Sequence, residues 1–295
     1  MIHGFANRYY SLRFREQDGL FSMTERSTNC EVIDRGGLNE FIDLSAPIGS
    51  DPDAYREVWH YLQHECYNRI TVDGSSAVVT GVTKTGVGQH GGMWFQNRYT
   101  FYEGRPFFQL EVTREYLHSF PLVADGSVCF LSPGGFARRF FCHSPHPCGY
   151  WRRPDFEGYL PDPTAAGRDN PDECCNIVPE WEECTSNGGP LSSVIPIRVR
   201  MTGTKECWGA ILNDSGVGFF LSVVRYSGID RNLGELRVTR PRPPAEKKFD
   251  EVEFQWAPGA QRSKGHRETG IFLVGVVPSG GNLEDVPLAS VGPGK

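Results

Sequence analysis

Residues 93–117 read MWFQNRYTFYEGRPFFQLEVTREYL. In the first half Trp94, Gln96, Arg98, Thr100 and Tyr102 alternate with Phe95, Asn97, Tyr99 and Phe101, the period of two that sends successive side chains to opposite faces of a strand. The second half, 106–117, continues in aromatic and β-branched residues. Glu103-Gly104-Arg105 between them makes a short glycine-containing turn, so the stretch is a predicted β-hairpin.

The same grammar spreads outward. Residues 7–14 (NRYYSLRF) and 20–26 (LFSMTER) alternate around the polar turn 15–19. Further strands are predicted at 68–72, 77–86, 193–201, 207–214, 217–226, 233–240, 249–257 and 270–277. One helix is expected at 51–66, where Asp51 caps, Pro52 suits the first turn, and Tyr55, Val58, Trp59, Leu62 and Cys66 share a face. Residues 143–190 lack periodicity and read as a long Pro/Gly-rich insertion. About a dozen strands with one short helix predict an all-β fold: a large antiparallel two-sheet super-sandwich forming a single domain over 1–277, with a flexible tail at 278–295.

Composition supports this reading and excludes others. The chain has 295 residues, of which 34 are Gly and 21 Pro, without the triplet period of collagen. Apolar residues make up 39% and aromatics 12%, enough for a packed core. No apolar run approaches the ~18 residues of a membrane-spanning helix, so no membrane partner is expected. The formal charge of −6 argues against nucleic acid as main partner, since phosphate binding draws on a basic surface. No charged-then-apolar leader is visible at the start, and nine Cys cannot all pair. A cytoplasmic location is therefore expected, or an extracellular one if a signal peptide was removed. Asn213-Asp214-Ser215 would be a glycosylation sequon only in an exported chain.

Residues 7–34, NRYYSLRFREQDGLFSMTERSTNCEVID, resemble the opening of the C-terminal β-super-sandwich domain of α-mannosidase-type glycoside hydrolases. The likeness rests on Asn7, Tyr9-Tyr10, Phe14, Asp18-Gly19, Phe21, Met23 and Glu31 to Asp34. It continues through LNEFID (38–43), QNRYTFYEGRPFFQLEVTREYLHSFPL (96–122) and KECWGAILNDSGVGFF (205–220). The resemblance implies the galactose-mutarotase-like fold group, which also includes accessory and catalytic domains of polysaccharide lyases. It further implies an oligo- or polysaccharide partner. The α-mannosidases carry their catalytic residues in a domain N-terminal to this one, so a catalytic-domain partner is implied too; a homo-oligomer is the alternative.

Candidate site residues follow from side-chain chemistry. Sugar binding draws on flat aromatic faces and forked hydrogen-bonding groups. Trp94, Gln96 and Tyr99, with Trp151 and Trp181 of the insertion, are expected carbohydrate contacts. His90, Tyr102 and Arg98 hold the groups a uronate lyase would use: a proton acceptor and a cation for the carboxylate. His266 and Glu268, two apart, form a second acid/base pair, of the His/Glu type that mutarotases use. His143, His146 and Cys148 have ligand chemistry for zinc, and the acidic residues of the insertion for calcium, although no cofactor is expected to be required. There is no nucleophile elbow, phosphate loop or zincin motif. A carbohydrate-binding or carbohydrate-active domain, a stand-alone lyase or epimerase, and a structural assembly module are the three readings.

Overall fold

The computed structural model describes residues 4–48, 51–61, 69–82, 84–85, 92–133, 136, 139–143, 150–151, 197–202, 207–228, 233–239, 250–256 and 260–280. The described residues form strands and no helix. In chain order the strands are β1 (Gly4–Ala6), β2 (Tyr10–Phe14), β3 (Phe21–Glu25), β4 (Cys30–Ile48), β5 (Asp51–Tyr61), β6 (Arg69–Asp73) and β7 (Ser76–Val82). Next come β8 (Lys84–Thr85), β9 (Met93–Phe101), β10 (Phe107–Tyr116), β11 (Phe120–Ser132), β12 (Arg139–His143) and β13 (Tyr150–Trp151). The chain closes with β14 (Ile197–Thr202), β15 (Cys207–Leu212), β16 (Gly218–Ser227), β17 (Leu233–Thr239), β18 (Asp250–Trp256), β19 (Ala260–Arg262) and β20 (Arg267–Val277).

These strands build two antiparallel sheets. The 12-stranded sheet runs β1-β2-β3-β4-β11-β18-β17-β14-β13, with β19 beside β11, β5 beside β4, and β8 beside β5. The 8-stranded sheet runs β12-β15-β16-β20-β10-β9-β7-β6. The predicted hairpin is β9–β10, in which Phe108 opposes Phe101 and Glu111 opposes Arg98.

Alternation along each strand makes the core. Phe95, Tyr99 and Phe101 of β9 and Phe108, Leu110 and Val112 of β10 turn inward. They meet Phe14, Phe21 and Met23 of the larger sheet, together with Val128, Phe130, Val252 and Phe254. Phe21 contacts the rings of Phe14, Tyr99 and Phe108 edge-on at 6.2, 5.7 and 5.6 Å. A buried side chain of this kind contributes about 1.5–3 kcal/mol by leaving water.

A polar clamp crosses the apolar layer. Asn97 Nδ2 donates to the Gly37 carbonyl at 3.1 Å, and Asn39 Nδ2 donates to Asn97 Oδ1 at 3.1 Å. Gly37 is at φ +82°, and a Cβ there would meet the Tyr99 hydroxyl at 2.6 Å, so only glycine fits this crossing point.

The helix expected at 51–66 is not formed. Asp51–Tyr61 is β5, paired antiparallel to β4 with Trp59 opposite Ile42 and His60 opposite Phe41; residues 62–66 lie outside the described residues. An isolated helix of this length is marginal in water, whereas a strand joining a ladder satisfies its backbone groups at once. Tyr55, Val58 and Trp59 are also strand-favouring residues, and the tertiary pairing outranks the helical spacing. The insertion is described only at His143, the last residue of β12, and at Tyr150–Trp151, which pair with β14.

Candidate functional site

The 8-stranded sheet has one face in the core and one turned away from it. Inward go Phe95, Asn97, Tyr99 and Phe101 of β9; outward go Trp94, Gln96, Arg98 and Thr100, all half-buried or exposed. Across β10 the outward positions are Gln109, Glu111, Thr113 and Glu115. Register sets Trp94 opposite Glu115, Gln96 opposite Thr113, and Arg98 opposite Glu111. On β20 the exposed Arg267 donates from Nε to Glu115 Oε2 at 2.7 Å, and the Thr269 and Ser227 hydroxyls lie 2.5 Å apart. A ring, an amide, a guanidinium, carboxylates and hydroxyls thus share one solvent-facing surface.

The same face changes character toward its other end. Phe107, Trp208, Ala210, Leu212, Phe220 and Leu273 form a second apolar cluster there. Tyr102 packs on it, its ring 5.8 Å from that of Phe107.

A second polar cluster lies within the sandwich. Glu268, fully buried, accepts from Arg114 Nη2 at 2.6 Å and from Arg262 Nε at 2.6 Å. Arg114 also donates to the Glu40 carbonyl at 3.2 Å, tying β10 to β4. Burial disfavours the charge of Arg262, but the Glu268 carboxylate and the Tyr116 hydroxyl outweigh it, and the guanidinium becomes more basic than usual. Burial raises the Tyr116 phenol well above its ordinary range, with the Glu268 charge adding to the effect. His266 Nε2 lies 3.8 Å from Glu268 and makes its closer contact, 2.7 Å, with the Gly228 carbonyl.

Beside it, Cys129 Sγ lies 3.6 Å from Glu40 Oε1 and 3.4 Å from Glu253 Oε2, with its one S–H able to donate to either carboxylate. One ligand atom from each lies within 4.8 Å of the others. Two carboxylates and a thiol from three neighbouring strands have the donor chemistry for a borderline cation.

The predicted residues divide as follows. Trp94, Gln96 and Arg98 stand together on the outward face, and Tyr102 shares that face at its apolar end. Tyr99, expected to contact sugar, is a core residue: its ring stacks among Phe14, Phe21 and Phe101, and burial raises its phenol far above the ordinary range. The odd positions of β9 face the core, which is why it differs from its neighbours. Glu268 belongs to the buried ionic cluster, and the partly exposed His266 stands at its edge, 3.8 Å from Glu268. His143 and Trp151 have described backbone only, ending β12 and β13. His90, His146, Cys148 and Trp181 lie outside the described residues. Arg114, Glu40 and Cys129 carried no sequence signal because their partners are supplied by strands distant in the chain; Arg262 lies six residues from Glu268, at a spacing that marks no shared face of one strand.

No family model matches the chain, and no curated protein matches it. Solved structures do. A candidate aldose 1-epimerase from Escherichia coli K12 aligns over 94% of this chain and 98% of its own, at 9% identity and TM-score 0.50. The aldose epimerase homologue from C. elegans aligns over 94% and 98%, at 8% identity and TM-score 0.47. An α-N-acetylgalactosaminidase from Bifidobacterium bifidum aligns over 94% of this chain at 12% identity and TM-score 0.43; the chain spans 36% of that enzyme. The chain also spans half of a TPR-domain-containing protein from Parabacteroides distasonis. With its two antiparallel sheets, the protein has a galactose-mutarotase-like super-sandwich fold.

Proposed function

We propose that this chain is a carbohydrate-recognising super-sandwich domain, of the kind found at the C-terminal end of α-mannosidase-type glycoside hydrolases. Its ligand is an oligo- or polysaccharide held on the outward face of β9 and β10. One observation carries the reading: Trp94, Gln96 and Arg98 stand on one solvent-facing side, directly opposite Glu115, Thr113 and Glu111. A ring face covers the C–H side of a pyranose, while amide, guanidinium and carboxylate groups take its hydroxyls. An epimerase of the His/Glu type would call on His266 and Glu268, but Glu268 is held by two arginines inside the sandwich; a uronate lyase would call on His90, which lies outside the described residues, with Tyr102 and Arg98. Recognition therefore outranks chemistry by the His266–Glu268 pair.

Glycan-array binding followed by calorimetry tests this. Trp94→Ala is expected to weaken the best glycan at least about tenfold, ~1.4 kcal/mol. Absence of binding across the array, or a Trp94→Ala variant that binds as well as the parent, would end the proposal.

A further inference from the structure

The strand registers align the outward residues of the 8-stranded sheet into rows that cross the strands. Ser227 of β16 opposes Thr269 of β20, Thr269 opposes Thr113 of β10, Thr113 opposes Gln96 of β9, Gln96 opposes Thr80 of β7, and Thr80 opposes Arg69 of β6. Every member of this row carries a hydrogen-bonding group and none is fully buried. At about 4.8 Å between strands, the row is roughly 24 Å long. That exceeds any single sugar ring and matches a chain of several.

The neighbouring rows give the charge. On one side Trp94 and the paired Arg267 and Glu115 flank the row. On the other lie Arg225, Ile271, Glu111 and Arg98, in register across β16, β20, β10 and β9. Arg69, Arg98 and Arg225 are exposed and make no ion pair among the described residues. With Arg267 matched by Glu115, three arginines stand against Glu111, and Asp73 lies one row beyond. Among the described residues these three rows therefore carry four arginines against two glutamates, an excess of positive charge on a chain whose formal charge is −6. Clustered guanidinium groups favour planar anions such as carboxylate and sulfate.

We infer that this face holds an extended anionic polysaccharide, laid across the strands over the row from Ser227 to Arg69, with its acidic groups on Arg69, Arg98 and Arg225. The inference rests on the carbohydrate-recognition reading and specifies its ligand. It contrasts with a site for one sugar at Trp94, which would be indifferent to chain length.

Size-graded oligogalacturonates (dimer, tetramer, hexamer) and neutral galacto-oligosaccharides of the same lengths distinguish the two by calorimetry on the full chain. Affinity for the acidic series is expected to rise at least about tenfold from dimer to hexamer, ~1.4 kcal/mol. It should exceed that for the neutral series and fall with added salt. Arg225→Gln should remove most of the gain from tetramer to hexamer, and Thr113→Val, in the middle of the row, should lower hexamer affinity several-fold. Both positions are on the surface, and an unchanged far-UV spectrum checks that they fold. Binding that is independent of length and charge but lost in Trp94→Ala overturns this inference and leaves carbohydrate recognition standing. Equal affinity for a single-stranded oligonucleotide of the same charge also overturns it. Silence across both series and the array overturns both.

Discussion

At the residue scale, Glu268 shows how little a local pattern reveals about its role. Its spacing from His266 reads as an acid/base pair, and the two do lie 3.8 Å apart. The dominant partners are Arg114, 154 positions away, and Arg262, both at 2.6 Å. A carboxylate shared by two guanidinium groups inside the sandwich neutralises charge that burial makes costly. Glu268→Gln keeps the shape but leaves two cations without this anion. It is expected to lose about 3–5 kcal/mol of unfolding free energy, as removal of one member of a buried ion group does, measured by urea denaturation. A loss below ~1 kcal/mol would show that the arginines are balanced elsewhere and that Glu268 is free for other chemistry. Such pairings are invisible in sequence because they are made by strand order. The outward set of β9, in contrast, was legible, since period-two alternation alone assigns Trp94, Gln96 and Arg98 to one face and Tyr99 to the other.

At the element scale, most strands were readable from their own alternation, whereas β4, β5 and β11 were not. The β9–β10 hairpin announces itself. By contrast, β11 contains Asp125-Gly126, a turn signal, yet continues through it: the pairing with β4 shifts register between Val123 and Asp125 and absorbs the irregularity. The β3–β4 turn makes a pH-dependent case. Glu25 accepts from the Ser27 and Thr28 amides, both at 2.9 Å, and from the Thr28 hydroxyl at 2.6 Å. Burial pushes its carboxyl upward, but these hydrogen bonds prevail and hold it below the ordinary 4.5. The folded value lies below the unfolded one, so the charged turn contributes fully above about pH 4.5 and loses its contribution as pH falls through the folded value. Glu25→Gln should cost about 1–2 kcal/mol at pH 7, and the gap to the parent should narrow at pH 3. Urea titrations of both proteins at the two pH values measure it; a gap of constant size would show that the ionised form has no special part in the turn.

At the scale of the whole molecule, strand order governs how the fold is reached. β20, from near the end of the described chain, sits in the interior of the 8-stranded sheet, between β16 and β10. Its Phe272, Val274 and Val276 enter the main core, and Glu268 closes the buried ionic cluster. Without β20, β10 along Phe107–Glu115 and β16 along Gly218–Ser227 each face an open edge. Such edges leave backbone groups unpaired, and the loss of β20 removes Phe272, Val274 and Val276 from the core. The sandwich is therefore not a stack of independent hairpins that could each persist alone. A chain stopped at Gly265 is expected to lose cooperative unfolding and its near-ultraviolet circular dichroism. The full chain should show a single transition and, because its pairings are non-local, refold over milliseconds to seconds or longer. A truncated chain that still unfolds cooperatively would mean that the 12-stranded sheet holds the fold by itself. The outward face built by β6, β7, β9, β10, β20 and β16 would then be a dispensable layer. If cooperativity is lost, the surface proposed to bind glycan exists only once the last strand is in place, and binding and folding should be lost together in every variant that displaces β20.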